Sequence, residues 1–321
     1  MMPGRLGNPV LLTSVAAVGL AVVTPLLGDY ARYIVSLWLI YSLSAIGLNL
    51  VMGYGHLNSL GHGGFMLIGA YATGIAVSRL GWPPFAGLLL AVAASVPISV
   101  VVGLPAIRLR HFSLAIVSFA FATTLFHVVK SFAFTGGPQG LYLQVGAVQR
   151  ALGGNLLFLV ALALNVLAIA GCTSVVRAKT GLALRLIGVN EIVARSFGID
   201  VVRGKLAAFA LSGLVGAAAG SLHALTTGFV GPETYSADLS VAIFAAVMIG
   251  GKGRLLGPYL GAAFIVVVPE LTQDSRGLGQ IVYAILFIVA VTLFPNGLTG
   301  MIEAAIARRG PTGDARAAAR P

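Results

Sequence analysis

Acidic side chains are scarce in this chain: nine in 321 residues, against 20 lysines and arginines. Charged residues of both signs make up 9% of it, where soluble domains carry about 25%. A water-soluble fold with so few charges would leave most of its apolar side chains wet, so the soluble class is excluded and a lipid bilayer is the solvent. There is one cysteine, Cys172, inside an apolar run. An intrachain disulfide is therefore excluded, and no metal-ligand spacing surrounds it. His56, His62, His111, His127 and His223 are scattered, with no HExxH pairing to support metal binding. No GxxxxGK[ST] run occurs, so the chain has no P-loop with which to hydrolyse ATP. No nucleophile–base pair sits in a supporting motif, which argues against an intramembrane enzyme. Carriers coupled to protons or sodium place acids deep in the membrane. Here Glu270 lies near a helix end and Glu233 and Asp238 lie in a loop, so the driving energy must come from another protein.

What is present is apolar sequence in long blocks. Hydrophobic residues are 58% of the chain and its mean hydropathy is +0.98. A bilayer core about 30 Å thick needs roughly 20 helical residues, whereas barrel strands would alternate over about ten. The blocks predict an all-α, polytopic transmembrane helical bundle of about 8–10 spans. The spans are 8–28, 33–52, 64–80, 85–104, 112–130, 154–176, 206–227, 238–251, 256–270 and 279–296. Those at 238–251 and 256–270 are short for a full crossing and read as tilted, broken or re-entrant. Arg5 followed by the uncharged stretch 6–28 lacks a small-x-small cleavage site and reads as an uncleaved first span.

The net charge of +11 sits in loops and tails between these blocks, which is an orientation signal and not a nucleic-acid surface. With both termini cytoplasmic, fifteen basic residues fall inside and five outside. An eight-span variant, with 238–270 as a re-entrant pair, keeps the termini on the same side. Residues 1–307 then form one transmembrane domain. Residues 308–321, rich in Arg, Gly, Pro and Ala, read as a disordered cytoplasmic tail.

Eight of the 29 charged residues fall within 177–205: Arg177, Lys179, Arg185, Glu191, Arg195, Asp200, Arg203 and Lys205. The flanking stretches 151–176 and 206–232 carry none. Within this cytoplasmic loop Asn190 is a good N-cap, Glu191 suits a first turn and Gly198 suits a stop, so 191–197 is expected to be a short helix. Val193 and Phe197 share one face, with Ile192 beside them. Such a face either enters a groove on a soluble partner or lies in the lipid headgroups.

Two other segments stand out. Gly53-Tyr54-Gly55-His56-Leu57-Asn58-Ser59-Leu60-Gly61-His62-Gly63-Gly64-Phe65 interrupts an otherwise uncharged run from 33 to 78. It is either a turn between helices or a broken helix whose freed backbone groups line a substrate path. A second glycine-rich break, 250–262, resembles its counterpart in another half of the chain. The outer loop 131–153 contains Phe134-Thr135-Gly136-Gly137-Pro138-Gln139-Gly140-Leu141 and reads as a gate, a docking loop or a plain surface loop.

Together these motifs resemble the permease subunits of branched-chain amino acid ABC importers. Gly53-Tyr54-Gly55 through Phe65, followed by Ile68-Gly69-Ala70-Tyr71, is similar to one signature of that family. Gly181 through Glu191, with Ala194, Gly198-Ile199-Asp200 and Lys205, resembles its cytoplasmic coupling loop. Gly228-Phe229-Val230-Gly231-Pro232 and Ile249-Gly250-Gly251-Lys252-Gly253 resemble later signatures, and the likeness runs from about 35 to 302. Asn58 and the pair Val189-Asn190 depart from the usual pattern. The resemblance implies an importer subunit of the bacterial inner membrane, with no cofactor of its own. Two partner ATPases would bind ATP and Mg. A second, related permease and an extracytoplasmic substrate-binding protein would complete the complex. It further implies coupling through Glu191, Ala194, Arg195 and Gly198, and a substrate path along Asn58, Ser59, Gly61, His62 and Phe65. Relatives of this architecture carry urea, short amides or aromatic acids, and an ATP-independent channel or facilitator is the competing class.

Overall fold

The apolar blocks fold as helices wherever they are long enough to satisfy their own backbone, as hydrocarbon demands. The computed structural model describes residues 9–23, 28–108, 111–143 and 155–272, with separate helical positions between 281 and 301. In chain order the helices are α1 (Pro9–Val23), α2 (Asp29–Asn49), α3 (His62–Ser78), α4 (Pro84–Arg108) and α5 (His111–Ser131). There follow α6 (Leu156–Arg177), α7 (Lys179–Val189), α8 (Glu191–Ser196), α9 (Val201–Thr227), α10 (Ala237–Gly250) and α11 (Gly257–Thr272). Among the described residues six helical segments are long and apolar enough to cross a membrane, and those near Val10–Ala21 and Gly257–Leu271 are shorter. The expected span at 279–296 and the tail at 308–321 lie outside the continuously described residues.

Three departures from the sequence reading have local causes. The chain leaves α2 through a π-helical turn, Leu50–Tyr54, and re-enters helix only at His62. The block expected at 238–251 is lengthened by a 3₁₀ turn, Pro232–Tyr235, so that 19 residues from Pro232 to Gly250 are long enough to span. The loop 177–205 holds two helices, because Lys179–Val189 carries its own apolar face, with Leu184 and Ile187 buried.

α9 is the axis of the bundle, packed against α2, α3 and α4. Asp200 caps its start, accepting from the Arg203 backbone N–H at 3.0 Å, and Gly228 in the left-handed region (φ 69°) ends it. Its small residues bring backbones together: a Cβ on Gly220 would collide with the Met66 carbonyl, and one on Gly69 with that of Ala217. Close approach through small residues is how helices attract in lipid, where burial of apolar surface offers little. Leu39, Ile40, Leu43, Met66, Phe158 and Leu222 fill the middle. Leu89, Val101, Ile116 and Leu167 face outwards, as suits a lipid-facing surface.

The basic segment 177–205 defines one end of the bundle. At the far end a two-stranded ladder pairs Leu141 with Val230 and Tyr142 with Phe229. Lys130 Nζ bonds Glu233 Oε1 at 2.6 Å beside it. The described part of the loop expected at 131–153, residues 131–143, is thus fastened to 228–236.

Candidate functional site

At the basic end the chain turns at Ala178, which is extended, and α7 folds back against α6 and the π turn. The Arg185 guanidinium stands 5.3 Å from the Tyr54 ring centroid. Gly188 lies so close to the break that a Cβ there would sit 2.9 Å from the Gly55 carbonyl oxygen.

α8 begins as the sequence predicts. Asn190 is extended, and its Oδ1 accepts from the backbone N–H groups of Ile192 (2.9 Å) and Val193 (3.3 Å). These donors have no partner inside a first helical turn, which is why Asn is favoured there. Gly198 adopts φ 75° and ends the helix, and the Ile199 N–H bonds back to the Ala194 carbonyl at 3.1 Å. Ala194 is wholly buried among Ile187 and Val201. It fixes the elbow by packing. The apolar residues opposite point away from the protein: Ile192 is 80% exposed and Phe197 74%, with Leu182 and Val189 exposed beside them.

Glu191 faces inward. Its Oε1 accepts from Lys205 Nζ at 2.6 Å, and its Oε2 is 3.9 Å from Arg195. The Lys205 side chain is only 1% exposed, while that of Glu191 is 39% exposed. Removing one partner of a buried ion pair costs about 3–5 kcal/mol, and the solvent at Glu191 screens this pair towards the low end.

The second assembly is the break between α2 and α3, which meets the break between α10 and α11. Asn49 joins them: its Nδ2 donates to the Arg254 carbonyl and its Oδ1 accepts from the Gly253 N–H, both at 2.9 Å. Gly53 lies against Gly253, where an added Cβ would sit 2.5 Å from the Gly253 nitrogen. Lys252 Nζ reaches Asn58 Oδ1 at 3.4 Å. Partial burial holds the Lys252 ammonium below the usual lysine pKa. The glycine-rich breaks noted in the two halves are therefore one contact.

From Asn58 to Gly61 the chain runs without helix into the bundle, and backbone donors from Leu60 to Gly63 are met by serine hydroxyls. The Leu60 N–H donates to Ser118 Oγ (2.9 Å), that of Gly61 to Ser59 Oγ (3.4 Å) and that of Gly63 to Ser240 Oγ (3.0 Å). His62 is buried halfway along α9, with Nδ1 3.5 Å from Ser212 Oγ; among the described residues Nε2 meets no hydrogen-bond partner. A Cβ on Gly216 would lie 2.9 Å from that Nε2. Phe65 packs edge-on to His62, with ring centroids 5.9 Å apart.

The five path residues named from sequence thus fall on one break: Asn58, Ser59 and Gly61 in the non-helical segment, His62 and Phe65 in the first turn of α3. The four coupling residues fall on one elbow. Sequence reasoning missed the roles of Asn49, Ser118, Ser240 and Lys205. The signal for Lys205 was there: it is the last cation before 27 uncharged residues.

Comparison with known proteins places the chain in a family. Residues 30–291 match the family described as the branched-chain amino acid transport system / permease component. The chain belongs to that family. It is 31% identical over 300 residues to the high-affinity branched-chain amino acid transport system permease protein LivM of Escherichia coli (strain K12), covering 84% of this chain and 69% of that protein. It is 26% identical over 280 residues to the probable branched-chain amino acid transport permease protein LivH of Methanocaldococcus jannaschii, covering 81% and 88%. A shorter likeness, 36% over 107 residues, relates it to the autoinducer 2 import system permease protein LsrC of Klebsiella pneumoniae, covering 32% and 31%. No solved structure matches. The chain is thus a multi-pass membrane permease of the branched-chain amino acid ABC transporter family.

Proposed function

We propose that this chain is a transmembrane subunit of an ATP-driven importer of branched-chain amino acids in a bacterial inner membrane. The observation that carries this reading is an apolar knob, Ile192 and Phe197, held outside the bundle on a rigid elbow. A free amphipathic loop would turn these side chains into the headgroups. Here the Asn190 cap and the buried Ala194 fix their direction, as a pre-organised docking surface requires. The partners are two ATPase subunits, which bind ATP and Mg, a second related permease, and an extracytoplasmic binding protein that delivers the amino acid.

Closure of the ATPases on ATP pushes the elbow, and the push passes into α9. Because α9 abuts His62 through Ser212 and Gly216, its movement bears on the non-helical segment Asn58–Gly61 and on the start of α3, His62–Phe65. That segment is the wall of the amino acid's path. His62 Nε2, buried and without a hydrogen-bond partner among the described residues, is a polar atom there with bonding capacity to spare.

The test is reconstitution of the assembled complex in proteoliposomes with labelled leucine. Uptake should require ATP and should be lost with Ile192→Asp. Leucine entering equally fast without ATP would replace the importer with a facilitator.

A further inference from the structure

We propose that Lys205 is a positioning residue of the transport cycle: through Glu191 it locks α8 to α9, so that a push on the elbow moves the bundle and does not merely bend the chain at Gly198. The proposal rests on the importer reading above and deepens it.

The segment between α8 and α9 is built to bend. Phe197–Asp200 is four residues long, is not helical, and contains Gly198 at φ 75°. A lever joined to its load only through such a segment would lose its stroke there. Three ties brace the segment. The Ile199 N–H bonds the Ala194 carbonyl at 3.1 Å, Ala194 packs on Val201, and Lys205 Nζ bonds Glu191 Oε1 at 2.6 Å. The first two lie beside the bend. The ion pair reaches from the first residue of α8 to the second turn of α9, and so has the longest arm against rotation.

The placement of Lys205 is costly for a mere orientation charge. A lysine at the end of a membrane helix ordinarily snorkels towards water and headgroups. This one is 1% exposed, and among the described residues Glu191 is the acid that pairs with it. A buried ammonium keeps its carboxylate close, because separation leaves the charge without solvent or partner. The pair is therefore stiff in the direction that matters. Farther along, α9 carries Ser212 and Gly216 against His62, so the locked unit runs from the exposed knob to the break.

The experiment compares Lys205→Met, Glu191→Gln and the double variant in the complete complex in proteoliposomes. It records ATPase co-purification, ATP turnover and leucine taken up per ATP. Either single variant should retain the ATPases and continue to hydrolyse ATP, while uptake per ATP falls about tenfold. The double variant should be no worse than the poorer single, since both remove one tie. Lys205→Arg should recover most of the loss. Effects that multiply in the double variant, or unchanged uptake per ATP in both singles, would overturn the proposal. Should Lys205→Met fail to insert, Glu191→Gln with Lys205→Arg as its counterpart still decides it. Absence of ATP-dependent uptake in the unmodified complex would instead defeat the importer reading, so the two failures are distinct.

Discussion

Gly53→Ala should destabilise this protein out of proportion to one methyl group. The added Cβ would lie 2.5 Å from both the Gly253 nitrogen and Asn49 Oδ1, and 2.7 Å from the Gly253 Cα. Ordinary contact needs about 3.4 Å or more. The neighbours are largely backbone, so the two breaks must part by about 1 Å, since packed interiors yield little. Parting stretches both 2.9 Å bonds of Asn49, to the Arg254 carbonyl and from the Gly253 N–H. Each is worth about 1 kcal/mol, and forcing a methyl into a packed site adds about 1–3 kcal/mol. The sum, about 3–5 kcal/mol, corresponds to a fall of roughly 10 °C in the midpoint of thermal unfolding. The assay is a thermal shift of the purified protein in nanodiscs. Gly171→Ala is the control, because a Cβ at that site within α6 meets nothing within 4 Å. It should leave the midpoint unchanged or raise it slightly, as alanine favours helix over glycine by about 0.5–1 kcal/mol. Equal midpoints for the two variants would refute the claim that the breaks are in backbone contact.

Other outcomes can be measured alongside. Asn190→Ala removes the side-chain cap of α8, at about 1 kcal/mol, so amide exchange at Ile192 and Val193 should quicken about fivefold. Ile192→Asp should abolish ATPase co-purification yet leave the thermal midpoint unchanged, since an exposed substitution shifts stability by about 0.5 kcal/mol or less. With the buried Cys172 replaced by Ala, a cysteine at Ser196 should react with an impermeant maleimide only after cells are opened. One at Tyr142 should react in intact cells, and the reverse pattern would invert the orientation. Burial lowers the Lys252 pKa from its ordinary 10.5. Between the lowered value and 10.5 the unfolded chain holds more protons at that site, so stability should rise with pH across the window. Lys252→Met should remove that part of the rise, which a thermal-shift series against pH would show.

The helices were legible because lipid makes each span carry its own backbone bonds, and charge-free runs announce this directly. The elbow was legible for a local reason: Asn190, Glu191 and Gly198 lie within a single stretch of nine residues. α7 escaped notice because Lys179, Arg185 and the glycines at 181 and 188 look like loop composition, and its apolar face exists only against α6 and α9. The contact between Gly53 and Gly253 joins residues 200 apart, and no periodicity reports such a pairing. The serines at 118 and 240 looked like ordinary small residues within spans. Their use emerges only when the non-helical segment arrives beside them. Sequence places Lys205 in the coupling-loop pattern, but its burial against Glu191, which makes it unlike the other basic residues there, exists only in the fold.

The serine-held segment leading into α3 has a kinetic consequence. Its amides at Leu60, Gly61 and Gly63 are clasped by hydroxyls from α5, from the segment itself and from α10 in turn. Sliding any single helix therefore releases one clasp and leaves the others closed. The strand can peel away in small increments, each about as costly as one neutral hydrogen bond, roughly 1 kcal/mol. A wall fastened this way yields to a modest pull within microseconds to milliseconds, the range of collective helix motion. It also closes again without refolding.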